Sequence, residues 1–155
     1  MNEVVKDRRQ GDRLSRWVSF YLGDQCYGID ILQVQEVLSK ADIEPVPRAP
    51  GDVLGVINLR GSIVTVVDLR TRLGLPPMTD APGVVIITDI AGQTVGLRVD
   101  RIAEVLNIPE GKIKHPPNTG AGTQSPRVRG IVSRKADLLT LLDVPALLHF
   151  EAAAA

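Results

Sequence analysis

The side chains able to do covalent chemistry are few and scattered. His115 lies beside Pro116-Pro117 and His149 close to the last residues, with no cysteine or carboxylate at ligand spacing from either. Two separated histidines make a poor metal site. Ser15, Ser19, Ser39, Ser62, Ser125 and Ser133 lack the Gly-x-Ser-x-Gly surroundings of an activated nucleophile. No glycine-rich phosphate loop opens a helix. Cys26 is the single cysteine, so disulfides and thiol clusters are excluded, and its place inside a strand suits a small core residue. These residues predict no catalytic group, no metal ligand and no cofactor. The chemistry left to the chain is recognition.

For recognition the outstanding residue is Arg60, in Asn58-Leu59-Arg60-Gly61, a long cation at the tip of an otherwise oily hairpin. A planar guanidinium makes several directed hydrogen bonds, so arginine is a frequent interface anchor; a solvated turn arginine is the bland alternative. Glu36, in Val34-Gln35-Glu36-Val37-Leu38, is flanked by apolar residues at a strand edge. It fits either a partner contact or a charge that discourages unwanted strand pairing.

The elements that must carry these residues are short strands. Val56-Ile57 and Ile63 to Val67 are β-branched runs, and Gly61 supplies the positive φ of a tight hairpin between them. Trp17 to Leu22 and Gln25 to Asp30 read as a first hairpin, Ile31 to Val34 as a helical turn, and Gln35 to Ser39 as extended chain. The prolines of Pro45-Val46-Pro47-Arg48-Ala49-Pro50 demand a loop. A short helix over Leu69 to Leu73 is stopped by Gly74, and Pro76 to Gly83 is a linker by composition.

After that linker the pattern starts again. Tyr27-Gly28-Ile29 returns as Val95-Gly96-Leu97, and Glu36-Val37-Leu38 as Glu104-Val105-Leu106, both shifted by 68 residues. Gly55-Val56-Ile57 returns as Gly130-Ile131-Val132 and Asp68 as Asp143, both shifted by 75. The extra residues fall in the stretch from Pro109 to Pro126, where insertion is cheap. The expected division is a flexible start over 1–15, then one domain over 16–150. Within it, lobe one covers about 16–75 and lobe two about 83–150, each a small β-barrel.

The repeat acts as a control. Asp68 and Asp143 both precede short helices and are expected to be N-caps, each worth about 1 kcal/mol. Gly55 and Gly130 are expected backbone requirements. Asn58-Leu59-Arg60-Gly61, in contrast, aligns with Ser133-Arg134-Lys135-Ala136, which lacks the glycine. The first hairpin therefore has a tighter tip and a differently aimed cation.

Composition narrows the partners. Hydrophobic residues make up 44% and charged residues 23%, a globular composition. Lys plus Arg and Asp plus Glu are both 18, which gives no pull toward nucleic acid or acidic lipid. Aromatics at 3% offer few stacking platforms. The polar start from Met1 to Arg16 holds no apolar signal, and no run approaches the ~20 residues that cross a bilayer. A cytoplasmic protein with no nucleic-acid partner and no membrane insertion is expected.

Tyr27-Gly28-Ile29-Asp30-Ile31-Leu32-Gln33-Val34-Gln35-Glu36-Val37, followed by Gly55 to Arg70, closely resembles the bacterial chemotaxis coupling proteins, the CheW family. The likeness runs from about Trp17 to Leu148 and is looser in the second copy. The same module resembles the regulatory domain of the histidine kinase CheA and the adaptor half of CheV; the lack of a kinase or receiver segment fits the free-standing coupling protein. The resemblance implies an all-β fold of two SH3-like five-stranded barrels made by internal duplication. It implies a non-enzymatic adaptor that joins the cytoplasmic tip of a chemoreceptor to the regulatory domain of CheA, at membrane-associated receptor arrays.

Carried over to this sequence, receptor contacts would be Val34, Glu36, Gly55, Asn58, Leu59 and Arg60, with Val105 from the second copy. Kinase contacts would be Ile43 and Ile63, with Lys114 in a further kinase-side contact or in self-association within arrays. Thr65 stands where a proline is common in the family, and Pro116 to Ser125 departs from the family pattern. An adaptor of a non-swimming chemosensory pathway, in surface motility or second-messenger control, fits the same likeness. A small β-barrel nucleic-acid-binding module is the remaining alternative, disfavoured by the neutral charge.

Overall fold

The computed structural model describes residues 13–77, 83–115 and 127–148. Their strands form two five-stranded sheets. In chain order these are β1 (Leu14–Leu22), β2 (Gln25–Asp30), β3 (Val34–Leu38), β4 (Val53–Leu59), β5 (Ser62–Asp68), β6 (Val84–Ile90), β7 (Gln93–Val99), β8 (Arg101–Pro109), β9 (Val128–Ser133) and β10 (Leu138–Leu142). Short helices α1 (Leu69–Arg72) and α2 (Val144–Leu147) follow β5 and β10. The expected all-β pair of five-stranded lobes is present. The strand now includes Leu14 and Ser15, placed in the expected flexible start: the Ser15 hydroxyl donates to the Ile108 carbonyl at 3.3 Å and accepts from Trp17 Nε1 at 2.8 Å. Most of that start, the linker from 78 to 82 and the long loop from 116 lie outside the described residues, as does His149.

The lobes are not the contiguous halves expected from the repeat. One sheet runs β8-β1-β2-β10-β9 and the other β3-β6-β7-β5-β4. Each takes the first two strands of one copy and the last three strands of the other. Compact units follow nearly the same division: among the described residues, 20–24, 32–77 and 83–103 in one, and 13–19, 25–31, 104–115 and 127–148 in the other, with the end of β1 and the start of β8 falling in the first. A boundary near residues 75–83 therefore separates the copies, whereas the folded units are made by exchange.

The joins are parallel pairings, β5 on β7 and β10 on β2, in matching register. Val66 lies opposite Gly96 and Leu141 opposite Gly28. The repeated glycines make room for those side chains: a Cβ on Gly96 would come within 3.3 Å of Val66 Cγ2, as well as 2.9 Å of Val85 Cγ1, and one on Gly28 within 3.0 Å of Leu141 Cδ2. Each sheet is closed by one two-bond bridge. Glu44 and Val56 exchange bonds of 2.8 and 2.8 Å, and Lys114 and Ile131 bonds of 2.9 and 2.7 Å.

In the unit holding β3 to β7, Ile57, Val64, Val66, Val85 and Ile87 form a buried core, with Leu38, Ile43, Leu54 and Leu59 packed against it. Both aspartates cap as expected: Asp68 Oδ1 accepts from the Arg70 amide at 3.3 Å, and Asp143 Oδ1 from the Ala146 amide at 3.1 Å.

One ionic knot in this unit pairs Arg70, whose counterpart in the repeat is Pro145, with Asp100, whose counterpart is Leu32. Arg70 donates through Nε and Nη2 to Asp100 at 2.9 and 2.6 Å, and through Nη1 to the Pro76 carbonyl at 3.0 Å. Asp100 also accepts the Gly23 amide at 2.6 Å. The Arg70 hydrogen bonds hold the Asp100 carboxyl below its ordinary range, helped by the Gly23 amide and against the cost of burial. A carboxyl titrating lower when folded stabilises fully above its unfolded pKa, about 3.9, and loses that contribution as pH falls through the lower folded value. Asp100→Asn should therefore cost about 2 kcal/mol at neutral pH, with the gap to wild type closing below pH 4 in urea titrations.

Candidate functional site

The β4–β5 hairpin closes on Leu59 and Ser62 across the two-residue turn Arg60-Gly61. Both turn residues are left-handed, with φ of 51° and 89°, the backbone whose twist matches the flanking strands. Glycine takes that conformation freely, but for arginine it is uncommon. The turn lifts Arg60 clear of the sheet, and its side chain is 69% exposed.

Glu36 reaches this arginine from β3, at the opposite edge of the same sheet. Along β3 the alternation puts Val34, Glu36 and Leu38 on the more buried face, so the Glu36 carboxylate is partly withdrawn from water and calls for a partner. Arg60 Nη2 forms an ion pair with Glu36 Oε2, and Nη1 donates to Oε1 at 3.3 Å. The hydrogen bond from Arg60 draws the Glu36 carboxyl below its ordinary range, and the guanidinium is raised in turn.

Among its described residues the second copy shows no such pair. Glu104 is exposed on β8, where the Ser19 hydroxyl bonds its amide at 3.0 Å and its carbonyl at 2.7 Å. In the matching hairpin Arg134 pairs within its own loop with Asp137, at 2.7 Å through each of two nitrogens. Among the described residues, the exposed ion pair across the sheet edges belongs to the first copy alone.

Beside it is an open depression of about 500 Å³, lined by Gln35, Leu59, Arg60, Ile63, Gln93 and Thr94 among others. Ile63 is 66% exposed on β5. Of the residues singled out in the sequence, Glu36, Leu59, Arg60 and Ile63 gather here. Val34 is half-buried at the start of β3, opposite Thr88. Ile43 is half-buried against the core, so it is less available than Ile63. Val105, 53% exposed on β8, and Lys114, exposed just beyond a 3-10 turn over Glu110–Lys112, belong to the other unit. Gln93 and Thr94 escaped sequence reasoning. Their only signal was the Ala91-Gly92 turn, whose position beside the Arg60 tip is set by the sheet order.

Gly55 is buried, and it has a backbone reason. At φ 152°, a Cβ there would sit 2.0 Å from the Glu44 carbonyl oxygen, at the bridge that closes the sheet.

Two β-barrel units with an exposed ion pair and apolar residues at one hairpin tip define a protein-binding module. The family model of the CheW-like domain matches residues 16–152. The chain is 32% identical over 148 residues to the probable chemotaxis protein CheW of Rhizobium etli, covering 95% of this chain and 94% of that protein. It is 32% identical over 133 residues to chemotaxis protein CheW of Klebsiella aerogenes, covering 85% and 80%. The crystal structure of scaffolding protein TtCheW from Thermoanaerobacter tengcongensis superposes with a TM-score of 0.76 at 34% identity, over 84% of this chain and 89% of that one. The chain belongs to the CheW-like family.

Gly55→Ala should destabilise the protein by about 3 kcal/mol, read from the urea midpoint. Thr65→Ala, on an exposed position of the neighbouring strand, should stay within about 0.5 kcal/mol of wild type.

Proposed function

We propose that this protein is a chemotaxis adaptor that holds the cytoplasmic tip of a chemoreceptor and the regulatory domain of the histidine kinase CheA in fixed register. The observation that carries the reading is the exposed Arg60–Glu36 pair, present in one copy of a duplicated fold whose family is that of chemotaxis scaffolds. The receptor contact centres on Arg60, Glu36, Leu59 and Val34, with Val105 as a contact on the other unit. The kinase contact centres on Ile63, with Ile43 supporting it from the core side, and Lys114 serves a further contact in array assembly. The protein works in the cytoplasm, recruited to membrane-associated receptor arrays.

Nothing is turned over in this scheme. Two partners on one adaptor raise the effective concentration of each for the other. Signal passes only through a difference in contact between receptor states, since equal affinity for both shifts no population. Receptor tips are helical, and an amphipathic helix pair suits a shallow surface of Val and Leu edged by charge. Such a surface gives moderate affinity, because area alone does not set it.

Arg60→Glu places two acidic side chains together at an exposed tip. The fold should survive, while co-sedimentation with a receptor cytoplasmic fragment weakens at least tenfold, about 1.4 kcal/mol; a folded variant with undiminished receptor binding would sink the assignment. Ile63→Asp should leave stability within about 0.5 kcal/mol and weaken binding of the CheA regulatory domain by a similar factor in calorimetry. Equal affinity for the kinase domain would remove Ile63 from that interface.

A further inference from the structure

The structure contains its own comparison for the Arg60 turn. Arg60-Gly61 and Ala91-Gly92 match in φ, with 51° and 89° in the first and 53° and 84° in the second. Each closes an antiparallel hairpin, on Leu59 and Ser62 or on Ile90 and Gln93. The difference lies two residues before the turn. Asn58 Oδ1 accepts the Gly61 amide at 2.9 Å. Asp89, in the matching place, makes no side-chain hydrogen bond among the described residues. The turn therefore forms without that bond. The extra bond occurs where the turn carries an arginine that must meet a carboxylate on another strand.

Asn58 is exposed, yet it is not among the residues lining the depression, whereas Leu59, Arg60, Ser62 and Ile63 are. Its bond fixes the Gly61 amide, and so the peptide plane that follows Arg60. That plane governs the direction in which the Arg60 side chain leaves the backbone. A left-handed arginine gains from such a restraint because the conformation is intrinsically costly for a residue with a Cβ.

We infer that Asn58 is a positioning residue. It aims the Arg60 guanidinium at Glu36 and at whatever the pair binds, and it does not itself touch the partner. The consequence for receptor binding rests on the proposed function; the consequence for the ion pair does not.

The full-length chain tests both. The Glu36 carboxyl is titrated by carbon-13 NMR in wild type, Arg60→Gln, Asn58→Ala and Asn58→Ser, with receptor-fragment affinity measured in parallel. Arg60→Gln marks the unpaired value. Asn58→Ala should move the Glu36 titration toward that value with the amide spectrum otherwise intact. Asn58→Ser, whose hydroxyl accepts the same bond more weakly, should restore it in part. Receptor affinity should fall threefold to tenfold in Asn58→Ala, recover in part in Asn58→Ser, and fall no further when Asn58→Ala is added to Arg60→Gln. An unmoved Glu36 titration in Asn58→Ala overturns the inference, and an added loss on top of Arg60→Gln makes Asn58 a direct contact. If wild type binds no receptor fragment, the functional proposal fails while the titration still decides the role of Asn58.

Discussion

The rest of the structure depends on two parallel pairings, β5 on β7 and β10 on β2. A parallel join needs a long connection between its strands, and here the partners come from different copies of the repeat. Neither copy can complete its own sheet. A barrel of some 65 residues standing alone would bury only about 60% of its unfolded surface, so exchange ties two marginal units to a common fate. Gly96 under Val66 and Gly28 under Leu141 show the same packing solution used twice.

With the scaffold duplicated, the two copies are told apart by what they do not share. Both closing bridges, both capping aspartates and both glycines beside the bridges recur. The hairpin tips do not. One is a two-residue turn with an exposed arginine paired to the far edge of its sheet; the other is a longer loop whose arginine is bound to its own aspartate. Arg134 directs two of its five N–H groups to a carboxylate of its own loop. A guanidinium braced by a partly buried carboxylate presents a fixed fork.

Much of this was legible in the residues. The β-branched runs, the prolines at 45–50, Gly61 and the caps at Asp68 and Asp143 encode local backbone preferences, and local preferences read directly from sequence. Arg60 and Glu36 each stood out, but their pairing did not. They are 24 residues apart, and only the order of the strands brings the two edges together. Ile43 and Ile63 looked alike as apolar candidates, and alternation within β5 exposes one while the core takes the other. Gly55 read as a backbone requirement, although the carbonyl that demands it, on Glu44, became visible only with the sheet closed.

By itself the sequence determined the strands, the repeat, the position of the tight turn and the family. Those follow from φ and ψ preferences and from side-chain periodicity, which act over a few residues. The tertiary structure decided which copy completes which sheet, since both copies carry nearly the same pattern and the choice is set by long-range packing. It also decided that Arg60 meets Glu36. Such contacts depend on where separate strands end in space, which short-range preferences do not specify.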